Sequence, residues 1–196
     1  MLTEPLAVTV LATTILEQLE IPYVIGGSFA SALHGVMRAT MDTDIVAAVQ
    51  PEQVTPLIQA LAGIFYADEE MIRTAVLRHS SFNVIHLATM FKVDIFVAKP
   101  RPFDVEQLAR RQLVDLGDVV PQTVYIATAE DTILAKLEWY RLGGEVSERQ
   151  WRDVLGILAI QDTRLDWVYL RRMAQILHVT DLLTRVSTQA GVPPET

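Results

Sequence analysis

The sequence predicts an α/β (α+β) fold, in which a small mixed sheet flanked by helices is followed by a helical C-terminal half. Short apolar runs of strand length alternate with segments of helical periodicity in the first two thirds of the chain. From Thr128 onward every segment reads as helix. The composition, 51% hydrophobic and 20% charged with 9 Gly and 9 Pro in 196 residues, is that of a chain that buries its own core. The expected organisation is a mixed core over residues 1–127 and a helical subdomain over 128–196, packed on that core.

Leu6, Val10, Leu11, Ile15 and Leu19 recur at helical spacing, so the chain opens with a helix ending near Pro22. Tyr23–Ile25 reads as a buried strand that runs into Gly26, Gly27 and Ser28, a strand-to-helix turn. The next strand spans Asp44 to Val49, and Pro51 starts a helix whose inner face is Val54, Leu57, Ile58 and Leu61. A helix over Glu69 to Leu77 precedes two strands, Ser81 to Leu87 and Phe91 to Val97, joined as a hairpin. A helix over Asp104 to Arg111 and extended segments near Leu113 and Val124 to Ile126 close this half. Thr128 with Asp131, and Ser147 with Gln150, have the spacing of helix-start capping boxes. Further helices are expected over Leu165 to Leu177 and Asp181 to Gln189.

The formal charge of −8 repels polyanions, which disfavours nonspecific binding to nucleic acid or anionic lipid. Cysteine is absent, so disulfides, thiolate zinc sites and cysteine nucleophiles are excluded. No apolar run reaches the roughly 18 residues that span a bilayer, and the first twenty residues do not read as a signal peptide. A cytoplasmic protein with no membrane partner is expected. The phosphate-loop pattern GxxxxGK, the dinucleotide pattern GxGxxG and the zinc pattern HExxH do not occur.

The chemistry is concentrated in YVIGGSFASALHGVMRATMDTDI, residues 23–45. A Gly-Gly-Ser turn at a helix start offers backbone N–H groups to phosphate oxygens. Asp42 and Asp44, one residue apart in extended chain, point to one face. Two hard oxygen ligands on one face suit Mg²⁺ bridging nucleotide phosphates, and a bound cation offsets their repulsion. Asp94 lies within a largely apolar strand, where an uncompensated charge is costly. On a neighbouring strand it completes a three-carboxylate site; otherwise it pairs with Lys92 or Lys99. Arg38 is a candidate phosphate contact. Asp153 has Arg149 one turn back as a local partner, and Arg152 has Glu148.

This arrangement resembles the nucleotidyltransferase superfamily, whose signature is a hydrophobic strand, Gly-Gly or Gly-Ser, an Asp-x-Asp pair and a later single Asp. Gly27 and Ser28, Asp42 and Asp44, and Asp94 stand in that order. With Ala30, His34, Gly35, Arg38 and Thr40 between them, they are similar to minimal bacterial nucleotidyltransferases related to type IV toxin–antitoxin and abortive-infection toxins. The segment KLEWYRLGGEVSERQWRDV places Lys136 and Asp153 where those proteins carry a Lys on one helix and an Asp on the next.

The resemblance implies transfer of a nucleoside monophosphate from an NTP to an acceptor, with release of pyrophosphate. Gly27 and Ser28 would hold the triphosphate, assisted by Lys136 and Asp153. Asp42 and Asp44 would bind both ions of a two-metal Mg²⁺ site, with Mn²⁺ as a substitute. Asp94 would complete one metal site and help activate the attacking hydroxyl. The acceptor is left open between an RNA end, a protein hydroxyl and a small molecule, and a cognate antitoxin is an expected partner if the chain acts as a toxin. The competing reading is a noncatalytic nucleotide-binding or protein-interaction module that keeps this fold.

Overall fold

The computed structural model describes residues 4–35, 42–117 and 122–192. In chain order the elements are α1 (Glu4–Gln18), β1 (Tyr23–Ile25), α2 (Gly27–His34), β2 (Asp42–Ala47), α3 (Val54–Leu61), β3 (Phe65–Tyr66), α4 (Glu69–Arg78), β4 (Ser81–His86) and β5 (Lys92–Val97). They continue as α5 (Pro102–Arg110), β6 (Gln112–Asp115), β7 (Thr123–Ile126), α6 (Ala129–Leu142), α7 (Glu148–Gln161), α8 (Trp167–Ile176) and α9 (Thr180–Ala190). The chain forms two compact units, Met1–Gly26 with Ala39–Ile126, and Gly27–Arg38 with Ala127–Thr196.

The first unit is built on a seven-stranded mixed sheet in the order β3-β4-β5-β2-β1-β7-β6. β2 and β5 are parallel, as are β1 and β7, and the other pairings are antiparallel. The pleat divides β2 and β5 into two faces. Thr43, Ile45 and Ala47 of β2 and Val93, Ile95 and Val97 of β5 are buried, with Phe82 and Val84 of β4 beside them. The alternate residues, Asp42, Asp44 and Val46, then Lys92, Asp94 and Phe96, form the half-buried face. On the buried side Thr9 of α1 meets Thr43, Oγ1 to Oγ1, at 2.7 Å.

Strand β2 begins two positions before the expected Asp44 and stops at Ala47, because Asp42 and Thr43 find partners in Lys92 and Val93. Pro51 opens a short 3₁₀ turn, Pro51–Gln53, before α3 begins. The two-residue β3 is too short to leave an alternating signature and forms only by pairing with β4.

The second unit is helical, with a core of Ile133, Leu134 and Leu137 from α6, Val154, Ile157 and Leu158 from α7, Leu170 and Met173 from α8, and Leu182 and Val186 from α9. α2 packs on α6 and α7 through Ala30, Ser31 and His34. Thr128 caps α6 as expected, its Oγ1 accepting from the Asp131 N–H. The Asp131 carboxylate is engaged by side chains in place of the reciprocal half of a capping box. It is fully buried, accepting from the Thr128 hydroxyl at 2.9 Å and from the Tyr169 hydroxyl at 2.5 Å. At the start of α7 the Gln150 N–H reaches Ser147 Oγ at 3.4 Å.

Candidate functional site

The Asp-x-Asp pair and Asp94 lie on the same face of the sheet. Asp44 of β2 is the register partner of Asp94 of β5, and Asp42 is the partner of Lys92. Neighbouring strands lie about 4.8 Å apart, so the three carboxylates occupy adjacent positions of one small patch. Asn83 of β4 stands opposite Asp94 and extends the row to a third strand. Gly26, which ends the first chain segment of this unit, donates its N–H to the Asp44 carbonyl at 2.9 Å. That bond ties the end of β1 to β2 at Asp44.

A cation of the chain itself stands in this patch. Lys92 Nζ is 2.6 Å from Asp94 Oδ2, so the ion pair expected of Asp94 is made with Lys92. The bond to Asp94 raises the Lys92 pKa above its ordinary value against the opposing effect of burial, with smaller contributions from the charges of Asp94, Asp42 and Asp44. Among the described residues no three carboxylate or imidazole groups converge as a ready-made metal cage. The donor chemistry nevertheless fits a hard divalent ion, since Asp42, Asp44 and Asp94 supply carboxylate oxygens to one face, and an ion bound there would take the Asp94 oxygen that Lys92 holds.

In the helical unit the remaining candidates form a second cluster. Lys136 of α6 donates to Asp153 Oδ2 of α7 at 2.8 Å, with side-chain exposures of 7% and 14%. Asp153 therefore pairs across helices with Lys136, and the expected local pair with Arg149 is replaced. Arg149, one turn earlier on α7, donates from Nη2 to Ser28 Oγ of α2 at 2.8 Å. The expected pair of Arg152 with Glu148 forms at 2.8 Å on the exposed side. Gly27 has φ of +55°, the left-handed conformation that glycine adopts without steric cost. Arg38 lies outside the described residues, as does Thr40.

His34 is buried, and its Nε2 donates to the Ala127 carbonyl at 2.6 Å, which makes it a packing residue of the helical unit. Tyr140 and Trp151 contact each other with ring centroids 5.2 Å apart, and the Arg185 guanidinium lies 4.3 Å from the Trp151 ring. Of the groups now seen around the candidates, Asn83 and Arg149 carried no functional signal in the sequence. Asn83 becomes visible only through the register of the hairpin, and Arg149 only through a contact across 121 residues.

No protein-family model matches the chain, and no curated protein sequence does. Solved structures do. An antigenic nucleotidyltransferase-like protein from Paracoccidioides brasiliensis aligns with a TM-score of 0.54 at 18% identity, covering 94% of this chain and 92% of that one. The antibiotic-resistance factor ANT(2'')-Ia, in complex with adenylyl-2''-tobramycin, gives 0.55 at 13% identity over 90% of this chain and 98% of its own. The lincosamide antibiotic adenylyltransferase LnuA, bound to lincomycin, gives 0.51 at 16% identity, covering 81% and 98%. The mixed α/β architecture of this chain is thus similar to that of nucleotidyltransferases.

Proposed function

We propose that this chain is a magnesium-dependent nucleotidyltransferase that moves a nucleoside monophosphate from an NTP to a hydroxyl acceptor. The observation that carries the reading is the register of Asp44 with Asp94 on adjacent parallel strands, with Asp42 on the same face. Three carboxylates in one patch repel one another, and the single ammonium of Lys92 offsets only part of that charge.

Asp42, Asp44 and Asp94 are the residues that would hold the metal, which when bound neutralises charge on the phosphate oxygens. Gly27 and Ser28, with Arg38, Lys136 and Asp153, are assigned to the nucleotide. The acceptor oxygen attacks the α-phosphorus, the bond to the β-phosphate oxygen breaks and pyrophosphate leaves. Asp94 takes the hydroxyl proton as that oxygen attacks, which requires the Asp94 carboxylate to exchange its contact with Lys92 for one with the acceptor.

The likeness to antibiotic adenylyltransferases and the net charge of −8 favour a small hydroxyl-bearing acceptor over a long RNA. A role as a toxin with a cognate antitoxin rests on the sequence resemblance, and growth arrest on expression, relieved by an adjacent gene product, is its test. Incubating the full chain with each α-labelled NTP, Mg²⁺ and either a hydroxylated small-molecule panel or a cell extract tests transfer. Label should move to an acceptor, and Asp44→Asn should reduce the rate at least about a hundredfold while the protein stays folded. A wild-type protein that binds NTP but transfers to no fraction would be the noncatalytic nucleotide-binding module; one that binds none leaves only a protein-interaction role.

A further inference from the structure

We propose that Lys92 is a further binding residue of the acid patch, whose ammonium yields Asp94 to a divalent ion and passes to the phosphate oxygens of the NTP that arrives with it. This role rests on the nucleotidyltransferase reading and adds to it the residue that makes the site take metal with nucleotide in preference to metal alone.

Lys92 is the register partner of Asp42 and stands two positions before Asp94 on β5, so its stem leaves the sheet on the face that carries Asp42, Asp44 and Asp94. Its Nζ lies 2.6 Å from Asp94 Oδ2. That bond is the main influence holding the ammonium charged, and the charges of Asp94, Asp42 and Asp44 act in the same direction. Arg73 and Arg101 of the same unit also bond to acids, but Glu69 and Asp104 lie on α4 and α5 and not among the three candidate ligands. Lys92 is a cation whose partner is itself a candidate metal ligand. With 44% of its side chain exposed, it rides on a flexible stem that can turn away from Asp94.

Lys92 acts with opposite sign on the two ligands. A bare divalent ion competes with the ammonium for the Asp94 oxygen and is repelled by its charge, and the repulsion strengthens where the patch is partly desolvated. Metal and triphosphate together reverse the balance. An ion that bridges carboxylates and phosphates brings phosphate oxygens to the patch, and the ammonium then exchanges one anionic acceptor for another in a charge-assisted bond. Because the Lys92–Asp94 pair is partly exposed, the exchange gives up little ion-pair energy. It also leaves Asp94 clear of the lysine, the state in which that carboxylate takes the acceptor proton.

The test uses the full chain and two calorimetric titrations, Mn²⁺ alone, and Mn²⁺–ATP onto protein already saturated with Mn²⁺. Wild type, Lys92→Met and Lys92→Gln are compared, with thermal melts of each. Lys92→Met should bind Mn²⁺ about tenfold more tightly and Mn²⁺–ATP about tenfold more weakly than wild type. Lys92→Gln, neutral but polar, should follow Lys92→Met and serves if the Met variant does not fold. A merely structural lysine would shift both affinities the same way or neither. Unchanged or weaker Mn²⁺ binding in a folded variant overturns the proposal, as does unchanged or tighter Mn²⁺–ATP binding, or a wild type that binds only one of the two probes. If the opposite shifts are seen without nucleotidyl transfer to any acceptor, the role of Lys92 stands and the transferase reading falls. Transfer without the opposite shifts is the reverse, and a wild type that binds neither probe removes both.

Discussion

Lys92 and Asp94 meet on the face of β5 that Asp42 and Asp44 share from β2, with Nζ 2.6 Å from Oδ2. A lysine thus lies among three acids, and its ammonium offsets part of their charge through its bond to Asp94.

Because the Lys92 pKa is raised, its contribution to stability is complete below the ordinary lysine value of 10.5 and is lost as pH rises above that through the folded value. Lys92→Met should therefore cost a constant amount across the neutral range. The side chain is 44% exposed, so that amount should stay under about 1 kcal/mol. Urea unfolding at several pH values checks this: the gap between wild type and variant should close only above pH 10.5, and a gap that closes near neutrality would contradict the assignment.

The buried Lys136–Asp153 pair should behave as a coupled unit. Removing either partner leaves the other charge poorly solvated, and Lys136→Met or Asp153→Asn should each destabilise by about 3 kcal/mol. The double variant should cost less than the sum, because the two side chains bond to each other directly. Chemical denaturation of all four proteins measures the coupling, and simple additivity would show that the two side chains act independently.

Gly35 leaves little room for a side chain. A Cβ there would sit 3.0 Å from the Ser31 carbonyl oxygen and 3.1 Å from both the backbone nitrogen and Cγ1 of Ile157. Two of these three atoms are backbone, which gives way less readily than the end of a flexible side chain. Gly35→Val should cost about 1–3 kcal/mol, and Gly35→Ala less, read from the shift of the denaturation midpoint. A Val variant as stable as wild type would mean that α2 and α7 do not approach so closely.

Which features the residues disclose by themselves follows their range along the chain. The period-two spacing of Asp42 and Asp44 is enough to assign both to one face, and the strand-like run around Asp94 marks it as a central acid. Lys92 is visible as a partner because it lies two positions away on the same strand face. Pairings set by tertiary contact are not visible in this way. Asp153 has two cations at plausible distance, and only the packing of α6 on α7 selects Lys136 over Arg149. Asp131 looks like one half of a capping box, but its carboxylate is taken by Tyr169, 38 residues further on. The strand β3 leaves no pattern because two residues are too few for alternation.

The assignment of α2 to the helical unit bears on how the molecule is made. Ser28 waits for Arg149, 121 residues later, and His34 for the Ala127 carbonyl, 93 residues later. On the ribosome, α2 emerges with its small-residue face uncovered well before α6 and α7, the helices it packs on. Loops of such length close slowly. A chain stopped at Ile126 would retain all seven described strands of the sheet yet lack α6 and α7, on which α2 packs. Truncation within α7 should therefore cost α2 part of its packing, and α2 can settle only after α6 and α7 have been made.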